Sequence, residues 1–284
     1  MSQSQSAQPG DGRNVHFLDV STGNLLGGFY QNGSVTQSNF LDMLNIVLNV
    51  VPHGRSRLCL RSFTVKTKSG RTISKTSQVL RPGDYDIYAP DGCSIALTDE
   101  EPIRRIFSRS RSNREQSFRN GVRARDKKCV FTGVVNRRNF SQFITNTDSG
   151  NHAASINSVQ NGLLLQSTVH TLFDTYSISV NPDDNYKITS FVVDDFHVDG
   201  RILDPVCRNP ADPNHVSDDL LRWYFRQSVL VNMKGAGEPP FEHDFPPGSD
   251  MLGEILEGPF PIERFEMELS SRLRGWEQQQ DFIQ

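Results

Sequence analysis

His170 and Asp174 stand four residues apart in the segment Asn161 to Asp174. On a helix that spacing projects both side chains from one face. An imidazole and a carboxylate held side by side can bind a divalent cation. Val169, Leu172 and Phe173 fall at i, i+3 and i+4 and mark an adjoining buried face. A turn pair, Asn161-Gly162, and a short apolar run, Leu163 to Leu165, lie just ahead. The same two polar residues would serve equally as the solvated stripe of an ordinary amphipathic helix, so the pair alone does not choose.

The longer pattern does more. Asn161-Gly162-Leu163-Leu164-Leu165 followed by His170-x-x-Phe173-Asp174 resembles the second half of an HNH nuclease motif, in the form common in fungal proteins. Cys129-Val130-Phe131-Thr132-Gly133 resembles the turn that precedes it. The likeness runs from about Val122 to Pro205. It implies a ββα scaffold around one metal ion and the hydrolysis of phosphodiesters, with DNA as the nucleic-acid partner. By resemblance, Asn161 is the Asn that orients the general base, and His170 is the terminal metal-binding His. Asp174 is then a further ligand or the group that orients His170. The implied cofactor is Mg²⁺, Mn²⁺ or Zn²⁺, which neutralises charge developing on the phosphate.

One part of the family pattern is not visible. Its first His, the water-activating base, belongs in an Ala-His-Ile type strand between the Cys-Val-x-Thr-Gly turn and Asn161. The twenty-seven residues between Gly133 and Asn161 hold a single histidine, His152, with neither Ile nor Pro directly after it. Three explanations follow. The chain is a degenerate nuclease that keeps the scaffold, or a splice or gene-model variant altered around Val134 to Phe140, or a protein that recruits His152 as substitute base. Loss of a positioned base costs about 10²- to 10⁴-fold in rate. The rival function is a non-catalytic module on an HNH scaffold that binds nucleic acid or protein.

Charge is unevenly spread. Arg104 to Arg138 contains twelve Lys or Arg against Glu115 and Asp126, a local +10 in a chain of net charge −3. A basic block inside an acidic chain is the footprint expected where phosphates are held. Arg119, Arg123, Arg125, Lys127 and Lys128 are the candidate nucleic-acid contacts. A solvated, self-repelling linker is the plainer alternative.

The elements that must position these residues read as α+β. Residues 1–13 form a Ser/Gln/Gly-rich tail, read as disordered and not as a signal peptide. Residues 14–98 form a small α+β domain of possible β-grasp kind, able to dock a protein partner. Its strands are Val15 to Val20, Leu25 to Tyr30, Arg57 to Lys66 and Tyr85 to Tyr88, and Ser38 caps a helix running through Leu48. Residues 99–126 are a basic linker ending in a helix, Ser112 to Arg125, that either packs by Phe107 and Phe118 or orders on phosphate binding. Residues 127–205 are the HNH-like domain, closed by a hairpin around Asn181 to Asn185. Residues 206–284 form a helical extension with Ser217 capping Val216 to Lys234, and further helices at Met251 to Leu256 and Pro261 to Leu273.

No run of eighteen apolar residues exists to span a membrane. The four cysteines, Cys59, Cys93, Cys129 and Cys207, are far apart, which predicts free buried thiols and an intracellular setting, nucleus or cytoplasm.

Overall fold

The computed structural model describes residues 12–52, 62–102, 113–135 and 158–235. All belong to one compact unit, Met1–Gly237. The mixture of small sheets and helices is the α+β class expected.

The first sheet grows from alternation. In β1 (Val15–Asp19) Val15, Phe17 and Asp19 point inward and are buried. Strand β2 (Leu25–Phe29) returns antiparallel to it through a turn that Asp19 ties by accepting from Ser21 and Thr22. Helix α1 (Gln37–Val47) then crosses the sheet and buries Phe40, Met43, Leu44 and Val47 on it. Strands β4 (Thr64–Thr67) and β5 (Gly83–Tyr88) complete the order β2-β1-β5-β4, with β1 parallel to β5. A hairpin, a crossover helix and a parallel central pair make the β-grasp arrangement. Burial of a ring such as Phe40 contributes about 1.5–3 kcal/mol.

Three local expectations shift. The cap of α1 is Thr36, not Ser38: Thr36 Oγ1 accepts from the Asn39 backbone N–H, and the Asn39 side chain accepts from the Thr36 N–H. The Ser38 N–H instead donates to the Thr76 carbonyl. The helix stops at Val47, and Leu48 opens strand β3 (Leu48–Pro52), where the branched Val50 and Val51 favour extension. Its antiparallel partner β6 (Cys93–Leu97) was not foreseen. The strand expected from Arg57 is described only from residue 62.

The second half centres on α2 (Asn113–Asp126), α3 (Ser167–Asp174) and the hairpin β7 (Ile178–Asn181) and β8 (Lys187–Ser190). Helix α4 (Asp218–Met233) begins at the expected cap, where the Ser217 side chain accepts from the Leu220 N–H. It reaches both halves. Phe225, Val229, Leu230 and Met233 join the β-grasp core, and Leu221 joins the core beneath α3 and the hairpin. Gly27 and Met233 make the first contact possible: a Cβ on Gly27 would lie 1.9 Å from the Met233 carbonyl oxygen. Arg13 donates to the carbonyls of Asn232 and Gly235 at the helix end, each at 2.8 Å. Glu100 forms a two-pronged pair with Arg226. The Arg226 guanidinium holds the Glu100 carboxyl below its ordinary range, with partial burial working the other way.

The cysteines depart from expectation. Cys129 and Cys207 are free and buried, but Cys93 is disulfide-bonded, to a partner outside the described residues. Spacing along the chain does not reveal such a pairing, which needs two Cα atoms within about 7 Å in the folded protein. The argument from free thiols to a reducing compartment therefore falls. Among the described residues no helix is long and apolar enough to cross a membrane. The expected tail at residues 1–11, Phe107 and the two expected helices after residue 250 lie outside the described residues.

Candidate functional site

The site is assembled where α2 ends. Asp126 closes the helix, and Lys127 takes a left-handed backbone, φ 59°, that turns the chain. Cys129 to Gly133 then forms a tight turn. The Gly133 N–H donates to the Cys129 carbonyl at 2.8 Å and the Cys129 N–H to the Val134 carbonyl at 2.9 Å. Gly133 sits at φ 76°, a conformation that favours glycine and explains its place in the turn. Val130 and Phe131 plunge into the core.

The Leu163 to Leu165 run lies beside this turn. The Val130 N–H donates to the Leu164 carbonyl at 3.0 Å, and the Leu164 N–H to Asp126 Oδ2 at 2.8 Å. Just before it, Asn161 ends a single 3-10 turn, Val159–Asn161, capped by Ser158. Asn161 is exposed. Gly162 is required by closeness: a Cβ there would come within 2.6 Å of Phe118 Cζ and Val122 Cγ2 on α2. Gly162→Ala should therefore destabilise the protein by about 1–3 kcal/mol as α2 is pushed outward. A shift in the urea midpoint equivalent to less than half a kcal/mol would contradict that close packing.

Helix α3 presents the chemistry. Val169 is fully buried, while Phe173 meets Phe131 edge-on at 5.8 Å and stacks on Tyr224 of α4 at 4.0 Å. That stack fixes the roll of a helix only eight residues long. His170 consequently faces solvent, its side chain 57% exposed, and its Nδ1 lies 2.8 Å from Asp174 Oδ2, whose side chain is 12% exposed. In the neutral ring, a carboxylate at Nδ1 favours the tautomer that leaves the lone pair on Nε2. The expected pairing of His170 with Asp174 is thus present, on the face adjoining the aromatic stack.

The other expected residues divide. His152 and the stretch where the family's first His belongs lie outside the described residues, as do Arg104 to Arg111. Arg119, Arg123 and Lys127 are exposed. Lys128 Nζ pairs with Asp204 at 2.6 Å. For the Asp204 carboxyl, burial works upward, but Lys128 and the Val206 N–H outweigh it and hold it below the usual range.

Arg125 does not face solvent. Its side chain is 3% exposed and forks onto Asp126, with Nε 2.6 Å from Oδ1 and Nη2 3.0 Å from Oδ2. It also donates to the carbonyls of Val159, Gly162 and Asn214. Arg125 and Asp126 together therefore clamp α2, the Asn-Gly turn and the loop before α4. In the sequence they read only as one more basic residue and one opposing acid.

Cys207 is not a chemical participant. Burial, aided by the nearby Asp126 charge, pushes its thiol up to about 12. Among the described residues no group of three or more His, Cys, Asp and Glu is gathered as for a metal. A cavity of about 720 Å³ opens between the end of α2 and residues 205–212.

Two family profiles match parts of the chain. Residues 106–181 match the HNH endonuclease family, and residues 12–94 match a domain of unknown function (DUF8573). No curated protein and no solved structure matches the chain. The first match spans the turn, the Asn-Gly-Leu run and α3, so this part of the chain is similar to a nuclease domain, a class that takes a divalent metal and acts on nucleic acid.

Proposed function

We propose that this part of the chain, backed by α4, is an HNH-type endonuclease domain that hydrolyses DNA phosphodiesters, with His170 as the metal-side imidazole and Asp174 as the residue that orients it. The observation that carries this reading is the 2.8 Å His170–Asp174 pair on the exposed face of α3, directly behind the Asn161-Gly162-Leu163-Leu164-Leu165 run. A neutral imidazole with its Nδ1 proton held by a carboxylate presents Nε2 toward a cation. A single imidazole ligand suits Mg²⁺, Mn²⁺ or Zn²⁺, leaving further positions to water and phosphate oxygens. A metal bound there would supply positive charge to the pentavalent phosphate and the leaving oxygen. Asn161 would orient the base. His152 is the substitute base if the family's first His is absent.

The second reading is a non-catalytic nucleic-acid-binding module on the same scaffold. It is favoured by the twenty-seven residues between Gly133 and Asn161, which lack the Ala-His-Ile pattern.

Titration of the full-length protein with Mn²⁺ or Zn²⁺, alongside plasmid nicking, separates these. Wild type should bind metal, with His170→Ala and Asp174→Asn each weakening affinity about 10- to 100-fold. Nicking that depends on metal and vanishes in His170→Ala supports the enzyme. Metal binding without nicking leaves the module. A wild-type protein that binds no divalent ion removes the metal site altogether.

A further inference from the structure

Asn161 is exposed, yet the backbone on both sides of it is gripped from inside the protein. The Arg125 guanidinium reaches the carbonyl two residues before it and the one directly after. Nη1 donates to the Val159 carbonyl at 3.0 Å and Nη2 to the Gly162 carbonyl at 2.6 Å. The turn also closes on itself, with the Asn161 N–H donating to the Ser158 carbonyl at 2.8 Å. Residues just ahead of α4 hold it too. The Ser217 N–H donates to the Gln160 carbonyl at 3.1 Å, and Gln160 Nε2 to the Pro213 carbonyl at 2.8 Å. Arg125 Nη1 ties that loop to the same guanidinium through the Asn214 carbonyl at 2.8 Å.

The grip continues toward the metal-side helix. Asp126 Oδ2 accepts from Arg125 and from the Leu164 N–H, and the Leu164 carbonyl accepts from the Val130 N–H. The His170 N–H closes the first turn of α3 on the Gln166 carbonyl at 2.8 Å. Pinned backbone groups at 159, 160, 162, 164 and 166 therefore set where Asn161 stands relative to His170. A surface turn satisfies its carbonyls with water at little cost, whereas taking two charges out of water is expensive. Here a pair whose side chains are 3% and 0% exposed lies beneath one exposed asparagine.

We infer that Arg125, braced by Asp126, is the positioning residue of Asn161, holding its amide where it can orient the base. The inference rests on the nuclease reading for the role of Asn161, and it extends the site to residues 213–217, beyond the matched 106–181. Arginine is needed for its shape. A planar fork serves Asp126 and three carbonyls at once, and a lysine ammonium, a point charge on a flexible stem, cannot span them. Misplacing a group at a reacting centre by about 1 Å costs about 10²-fold in rate.

A double-variant cycle in the full-length protein tests this. Arg125→Lys keeps the buried charge beside Asp126 and loses the fork. With Mn²⁺ and plasmid DNA it should lower kcat about 10- to 100-fold, leaving KM and the metal Kd within about twofold of wild type. In an Asn161→Ala background the same change should cost less than about threefold, because the residue it positions is gone. Equal losses in both backgrounds would overturn the inference and leave Arg125 a structural residue only. The side-chain amide NMR signal of Asn161, assigned in an isotope-labelled asparagine sample by its absence in Asn161→Ala, gives a readout without turnover. It should shift or broaden in Arg125→Lys while that of Asn232, on α4, stays in place. An unmoved Asn161 signal would equally overturn the inference. A wild type that does not nick, with a shifted Asn161 signal in Arg125→Lys, loses the nuclease reading and keeps the positioning. Thermal denaturation checks folding, and Asp126→Asn, which loosens the guanidinium from its other end, replaces Arg125→Lys if that variant does not fold.

Discussion

Arg125→Ala will lower stability by about 3–5 kcal/mol, because it strands the carboxylate of Asp126 without its counter-charge in the interior. The Asp126 side chain is fully buried, and its only other described side-chain partner is the Leu164 N–H at 2.8 Å. Three backbone carbonyls, on Val159, Gly162 and Asn214, lose a donor at the same time. Urea denaturation of the full-length protein measures this directly. The double variant Arg125→Met/Asp126→Asn should recover part of the loss, since a neutral amide costs less to bury than a charge. A phosphate-contacting arginine would behave in the opposite way, weakening DNA binding and leaving the denaturation midpoint in place. A loss below about 1 kcal/mol in Arg125→Ala would refute the clamp.

Gly27→Val should be at least as damaging. Any side chain there meets the Met233 carbonyl oxygen at 1.9 Å and Phe17 Cζ at 2.7 Å, so the end of α4 must leave β2. The retreat uncovers Phe225, Val229, Leu230 and Met233, all buried in the β-grasp core. Each contributes about 1.5–3 kcal/mol when buried, and a partial retreat should already cost at least about 3 kcal/mol. Hydrogen exchange should locate the change in the last turns of α4, with β4 and β5 less affected. Val79→Ala, at an exposed position, should stay within about half a kcal/mol of wild type and provides the baseline. If Gly27→Val unfolds at the wild-type denaturant concentration, the contact between α4 and β2 is not the one described.

What the sequence revealed follows the reach of each interaction. Alternation in Val15 to Asp19, the Ser217 cap and the i, i+4 placement of His170 and Asp174 are local, and all three are found in the structure. The cap of α1 was missed by two residues because Thr36 and Ser38 are equally good caps locally, and the Thr76 carbonyl, thirty-eight residues away, claims the Ser38 N–H. Only the first residue of strand β3, Leu48, reads as helix, because it continues the apolar period, and pairing with β6 reveals the switch. Arg125 was read as surface charge because its partners at Gly162 and Asn214 lie 37 and 89 residues away. Asp126, for the same reason, looked like an incidental acid. The disulfide at Cys93 was equally invisible to spacing arguments.

Helix α4 lies beyond both matched regions, 12–94 and 106–181, yet it supplies side chains to the core of each. A recombination event that carried either region to a new gene without residues 218–233 would deliver a domain with an open core. The two regions thus share a core-closing helix that neither one contains.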